Sequence, residues 1–315
     1  MELKGKIVFS SGKAGDFDIW VLHLEEKSLE QLTSGTYWND MPRWSPDGEK
    51  ITFISNRTTI PKLYLMDKHG ENQTLLTKED RFATTPCWFP DGEHVAFCGN
   101  FGNPDFIGIY KININNLSKG IEPLLEEKEI IEGIDISSDG TKLLYTSKES
   151  GNLDIWEYDL TNGNKRQITT HPSADYSPSY SPDNKYIAFI SVRESEGEES
   201  KRDSDIWVVP SDLSEKPKRL TTNSGADEFV RWHPSGKYLI YCASSTEGSD
   251  ARIKLLDIEQ KEEISLSYDR EALEKEIGAE VKDYGIFTAI MPDFIQRWFV
   301  YKSYFGSERY PDWFI

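Results

Sequence analysis

Short runs of alternating apolar and polar residues recur along most of this chain, each following a turn-forming cluster. Ile51 and Phe53, or Val95 and Phe97, take every second position, the period of a strand with one buried side. Upstream of each run stands a turn of the type Pro46-Asp47-Gly48, and before the turn a large apolar residue: Trp44, Trp88, Ile136, Tyr180 and Trp232. The whole unit reads RWSPDGEKITF from Arg43 and returns as CWFPDGEHVAF from Cys87, DISSDGTKLLY from Asp135, SYSPDNKYIAF from Ser179 and RWHPSGKYLIY from Arg231. The turn position Gly48 is followed by Gly92, Gly140, Asn184 and Gly236, at intervals of 44, 48, 44 and 52. A period of that size marks a repeated supersecondary unit. Proline presets the first corner, aspartate bonds its own backbone, and the glycine position needs a left-handed residue. Asn184 fits there because asparagine tolerates that conformation.

Two further elements keep step with this hairpin. One is a strand: DIWVL from Asp18, KLYLM from Lys62, GIYKI from Gly108, DIWEY from Asp154 and DIWVV from Asp205. The other ends in Leu32-Thr33, Leu76-Thr77, Ile168-Thr169 or Leu220-Thr221, with 13 residues from Trp20 to Thr33, Tyr64 to Thr77 and Trp156 to Thr169. Each period therefore holds four short antiparallel strands, a to d from the inside out. That is the arithmetic of an all-β protein, a β-propeller of four-stranded antiparallel blades, in which the large residue of strand a packs between neighbouring blades.

The combination of Pro-x-Trp-Ser-Pro-Asp-Gly, Asp-Ile-Trp and Leu-Thr resembles the WD40-like repeats (PD40 type) of the TolB propeller family, over about Ile7 to Ile258. The resemblance implies a propeller, commonly six-bladed, whose relatives include periplasmic scaffold proteins and the propeller parts of larger peptidases. No G-x-S-x-G elbow of a hydrolase occurs in this chain.

Strands b, c and d of one blade come first and five full periods follow, so six blades are expected if Ile286–Met291 supplies the missing strand a. Seven is the alternative. Residues 1–315 read as one propeller domain, with 292–315 a C-terminal extension or an incomplete blade. Leu273, Ile277 and Val281 share one helical face and predict a short amphipathic helix between Asp269 and Lys282.

Charge and composition narrow the partners. Fifty-four acidic residues against 36 basic ones give a net charge of -18, a field that repels nucleic acid and anionic lipid surfaces. No apolar run is long enough to insert in a membrane. Cys87, Cys98 and Cys242 lack metal-site spacing. The five histidines fall on different faces of the predicted ring, so no metal, cofactor or catalytic residue is assigned. The N-terminus MELKGKIVFSS has no signal-peptide pattern. A cytoplasmic location is expected, or a periplasmic or extracellular one if an export signal has been removed.

In a propeller the d-to-a and b-to-c loops surround one mouth of the central channel, and binding residues concentrate on such loops. Counted back from the turn, Asn39, Asp175 and Asp227 fall in register, as do Asp40, Glu132 and Glu228. With Trp38, Phe82, Tyr176 and Phe229 as stacking surfaces, Trp38, Asn39, Asp40, Asp175, Tyr176, Asp227 and Glu228 form the candidate ligand-binding set. A structural role competes with this: acids at the start of strand a accept backbone N–H groups. Arg57 and Arg193 read as solvated loop charges, or as partners of these acids. The expected function is a non-enzymatic scaffold binding a protein or peptide at the mouth. The alternative is a saccharide- or small-ligand-acting enzyme or sensor using the same mouth, with or without a divalent cation.

Overall fold

The computed structural model describes residues 5–11, 17–103, 105–128, 130–193, 204–222, 225–243 and 252–265, and only the backbone at 130–132, 252, 264 and 265. Six antiparallel sheets follow one another along them. Blade 1 contains β1 (Lys6–Ser11), β2 (Asp18–His23) and β3 (Ser28–Gln31). Blade 2 contains β4 (Asn39–Trp44), β5 (Lys50–Thr58), β6 (Ile60–Asp67) and β7 (Thr74–Leu75). Blade 3 contains β8 (Ala83–Trp88), β9 (His94–Gly99), β10 (Gly108–Asn113) and β11 (Ile121–Glu126). Blade 4 contains β12 (Ile130–Ile136), β13 (Lys142–Ser147), β14 (Asp154–Asp159) and β15 (Lys165–Gln167). Blade 5 contains β16 (Asp175–Tyr180), β17 (Tyr186–Ser191), β18 (Asp205–Pro210) and β19 (Lys218–Arg219). Blade 6 contains β20 (Asp227–Trp232), β21 (Tyr238–Ala243), β22 (Arg252–Asp257) and β23 (Glu262–Ser265).

Apolar seams join each blade to the next. Trp44 packs with Ile19, Val21 and Leu32 of blade 1, Trp88 with Ile54 and Leu63 of blade 2, and Tyr180 with Leu144 and Ile155 of blade 4. The large residue of strand a thus lies between blades, as its sequence position requires. Burying each such side chain stabilises the ring by about 1.5–3 kcal/mol. The last seam sets Ile240 and Ile253 of blade 6 against Phe9, Trp20, Leu22 and Leu29 of blade 1. Six blades therefore close the ring, and the seven-blade alternative falls away. The expected inner strand Ile286–Met291, the helix between Asp269 and Lys282, and 292–315 lie outside the described residues.

The repeated motifs have specific duties within this frame. Gly48, Gly92, Gly140 and Gly236 take φ of 70°, 66°, 73° and 72°, and Asn184 joins them at 58°. Its side chain also accepts the Ser138 N–H of blade 4 at 2.9 Å, a bond no glycine can make. The Leu-Thr ending works as a clasp. Thr33, Thr77, Thr169 and Thr221 accept the N–H of Ile19, Leu63, Ile155 and Ile206 at 2.9, 3.1, 3.0 and 2.9 Å. The hydroxyls of Thr33 and Thr169 donate onward to Asp18 and Asp154, at 2.8 and 3.2 Å. The spacing of Asp-Ile-Trp to Leu-Thr is fixed because these bonds hold strand d onto strand c.

Candidate functional site

Of the seven candidate residues only Trp38 lies in a d-to-a loop; the others begin inner strands β4, β16 and β20. Most are buried, contrary to the expected loop ring. Asn39, Asp175 and Asp227 are 0%, 0% and 1% exposed, and Asp40 and Tyr176 are also buried. Tyr176 packs in the seam between blades 5 and 6 and offers no stacking surface. Trp38 and Glu228 keep partial exposure. Glu132 lies on β12, where only the backbone is described.

A β-bulge explains the arrangement. In five blades the a–b register slips after the second residue of the inner strand, or within that stretch. A left-handed residue stands there, third in its strand in four blades, Met41 at φ 52°, Thr85 at 44°, Ser177 at 53° and Phe229 at 61°, and fourth in blade 4, Gly133 at 76°. Four of these five are not glycine, at a cost of about 1–2 kcal/mol each. Side chains alternate faces along a strand, so one extra residue transfers the first position to the face that carries Trp44. Asn39, Asp175 and Asp227 thereby meet the preceding blade.

Three blade junctions then use one plan with different parts. Between blades 1 and 2, the Asn39 amide donates to Asp18 at 3.0 Å and its oxygen accepts from Arg57 at 2.9 Å. Arg57 is braced by the Ser55 hydroxyl at 3.0 Å and Gln73 at 2.6 Å. Its guanidinium lies 4.7 and 5.4 Å from the Tyr64 and Phe53 ring centres. In blade 5, beside its junction with blade 4, Arg193 Nη2 grips both oxygens of Asp175 at 2.8 and 2.7 Å. It bonds Ser191 at 2.7 Å and stacks 4.5 Å from Trp207 and 5.5 Å from Phe189. These arginines are anchored partners rather than solvated charges. Burial raises the Asp175 pKa and Arg193 opposes that shift.

Between blades 5 and 6 no arginine meets the acid among the described residues. The backbone repeats, with Asp227 N–H donating to Ser204 O at 2.8 Å as Asp175 N–H does to Leu153 O. Yet Asp227 Oδ2 is buried without a hydrogen-bond partner. Burial, then repulsion from Asp205 and Glu263, lifts its carboxyl to about 7, although Thr221 and Lys254 act the other way. Asp40, in the next register position, is satisfied differently: the Ser10 hydroxyl donates to it at 2.7 Å and Met41 N–H at 2.6 Å. Here the structural reading of the acids holds in part.

A second polar group escaped the sequence reading. Arg43, Cys87, Asp135, Ser179 and Arg231 each precede the large residue of strand a, which was the available signal. Burial and the nearby Arg231 lower the Arg43 pKa to about 9, while Cys87, Asp135 and Asp40 oppose the shift. A side chain that feels charges on blades 3, 4 and 6 lies near the ring axis. Cys87 Sγ sits 3.5 Å from Asp135 Oδ1, and burial pushes its thiol up to about 12, so it is not a nucleophile at neutral pH. Among the described residues no three His, Cys, Asp or Glu side chains form a metal-holding group, and no helix is long and apolar enough to cross a membrane.

This architecture defines the class as a six-bladed β-propeller of repeated four-stranded blades. A family model described as "PD40: TolB beta propeller domain" matches residues 4–148 and 65–272, and the chain belongs to that family. It is 31% identical over 179 residues to a "Protein TolB homolog" of Protochlamydia amoebophila, covering 54% of this chain and 38% of that protein. It is 25% identical over 193 residues to the "Uncharacterized peptidase YuxL" of Bacillus subtilis, covering 61% and 27%. The chain thus matches well under half the length of either relative. Among solved structures, TolB from Acinetobacter baumannii superposes with a TM-score of 0.72 at 20% identity, over 85% of this chain and 65% of that one. A putative TolB from Agrobacterium tumefaciens gives 0.67 at 22%, over 82% and 89%. At these identities the structural likeness speaks for the fold.

Proposed function

We propose that the chain is a non-enzymatic scaffold that holds a protein or peptide on its channel-mouth face. One observation carries the reading. At the mouth of blades 2 and 5 an anchored arginine stacks on aromatic rings beside an exposed apolar residue: Tyr37, 41% exposed and 5.8 Å from Arg57, and Val192, 40% exposed and next to Arg193. Arginine and large aromatics dominate the energetics of protein interfaces when they are held rigid. Kinship with proteins named "Tol-Pal system protein TolB", such as that of Wolinella succinogenes, supports a place in a multiprotein system. It also favours the exported, periplasmic alternative over the cytoplasmic expectation.

A thermal-shift screen of the whole chain against peptides, sugars and divalent metals tests this, since a ligand of the native state alone raises the melting temperature. Peptides are expected to stabilise the protein, and the double variant Tyr37→Ser, Val192→Asp to lose that response while melting normally. Stabilisation by sugars or metals alone, or an unchanged response of the variant, would overturn the reading.

A further inference from the structure

Among the described residues, the junctions on either side of blade 5 differ by one cation at the first residue of strand a. Arg57 and Arg193 stand two residues after Ser55 and Ser191, the last residues in the regular register between strands b and c. The matching residue of blade 6 is Ala243, and two positions on the sequence has serine, Ser245. The aromatic that supports the arginine changes too: Tyr64 and Trp207 pair with Phe53 and Phe189 across the strands, whereas Lys254 pairs with Tyr241. The acid itself is retained.

We propose that the junction of blades 5 and 6 accepts a guanidinium group supplied in trans by the partner held at the mouth, entering Asp227 as Arg193 enters Asp175. The inference rests on the mouth-face reading and names the partner's chemistry: an arginine-bearing segment. Three observations support it. Asp227 is 1% exposed and its Oδ2 has no partner, whereas buried carboxylates are ordinarily paired. The cations nearby whose side chains are described are engaged: Arg219 pairs with Asp205 at 2.7 Å, and Lys254 with Glu263 at 2.8 Å. Tyr241 also donates to Glu263, at 2.8 Å. The described charges around the site are therefore three carboxylates, Asp205, Asp227 and Glu263, against two cations, and one added guanidinium neutralises them. Arginine suits the place better than lysine because its planar group serves a carboxylate and a second acceptor from different nitrogens, as Arg193 does with Nη2 on Asp175 and Nε on Ser191.

Binding of acetyl-argininamide and of an arginine-containing peptide to the full chain, measured by calorimetry beside citrulline counterparts, tests the proposal. Citrulline keeps the shape and loses the charge. The arginine probes are expected to bind at least tenfold more tightly than the citrulline ones, and Asp227→Asn to remove the difference. The double variant Ala243→Ser, Ser245→Arg is expected to fill the site from within, abolishing probe binding and raising the melting temperature of the free protein. Affinity should also rise about tenfold from pH 6 to pH 8, as Asp227, with its pKa of about 7, ionises. Equal binding of arginine and citrulline peptides would overturn the inference and leave the mouth-face reading standing. Binding of acetyl-argininamide at Asp227 with no capture of any peptide would overturn the mouth-face reading instead. If Asp227→Asn fails to fold, the citrulline comparison and the self-filling variant still decide.

Discussion

At the mouth, the junctions between blades 4 and 5 and between blades 5 and 6 share one backbone bond, Asp175 N–H to Leu153 O and Asp227 N–H to Ser204 O, both at 2.8 Å, and differ in how the acid's side chain is met. At the first, Arg193 of the same blade closes on Asp175 beside the junction, while across it the Tyr180 hydroxyl donates to Glu157 at 2.8 Å and Asn184 reaches Ser138 at the face away from the mouth. Arg166 adds a bond to Ser211 O at 2.8 Å. At the second, the Trp232 indole N–H donates to Ser179 O at 3.1 Å and Arg231 to Pro178 O at 3.2 Å. Its mouth position holds an acid that meets no cation among the described residues, and its turn position holds Gly236. The backbone is the same in both. A repeat thus fixes where side chains can meet, and the individual residues decide whether the buried acid there is paired.

The largest effect expected from this contrast comes from Arg193→Met. It strands the fully buried Asp175 carboxylate, and breaking a buried pair by removing one partner costs about 3–5 kcal/mol. Urea unfolding measures it, and a loss below about 1 kcal/mol would reduce the pair to an ordinary surface contact.

Next comes pH. Asp227 has its pKa raised from 3.8 to about 7 in the folded chain, so the native state binds the proton more strongly. Its contribution to stability is complete below the unfolded pKa and disappears as pH rises through about 7. Relative to Asp227→Asn, the wild type should lose about 2–4 kcal/mol between pH 4 and pH 8. Parallel stability profiles for the two proteins would mean that Asp227 is already compensated.

Smaller effects sharpen the same contrast. Arg57→Met leaves behind only the neutral Asn39 amide and is expected to cost about 1–2 kcal/mol, less than its counterpart at Arg193. Asn184→Gly keeps the left-handed turn and loses the bond to Ser138, for about 0.5–1 kcal/mol. Matching losses at Arg57 and Arg193 would show that the buried charge of Asp175 contributes nothing beyond a neutral amide.

Much of this architecture is legible in the sequence because turns and alternation are local. Trp44 with its four counterparts marks the seams, and Asn184 declares a left-handed turn by being one of the few residues able to replace glycine. The candidate site was legible in position but not in character. TYWND resembles a loop because the bulge at Met41 adds one residue and breaks the two-residue count, so Asn39 and Asp40 appear outside the strand they begin. The change of face follows from that single residue. Arg193 reaches Asp175 within one hairpin, from two residues beyond the acid's cross-strand partner Ser191, whereas the meeting of Arg43, Cys87, Asp135 and Arg231 near the axis depends on ring geometry that no local pattern contains.

The most direct test is carbon NMR of labelled aspartate carboxyls in the whole chain, with Asp175 and Asp227 assigned through their asparagine variants. Asp227 should titrate with a midpoint near 7, well above Asp175, and its midpoint should fall when acetyl-argininamide is added. If both carboxyls titrate together in the acid range and the arginine probe shifts neither, the two junctions are equivalent and the open acceptor does not exist.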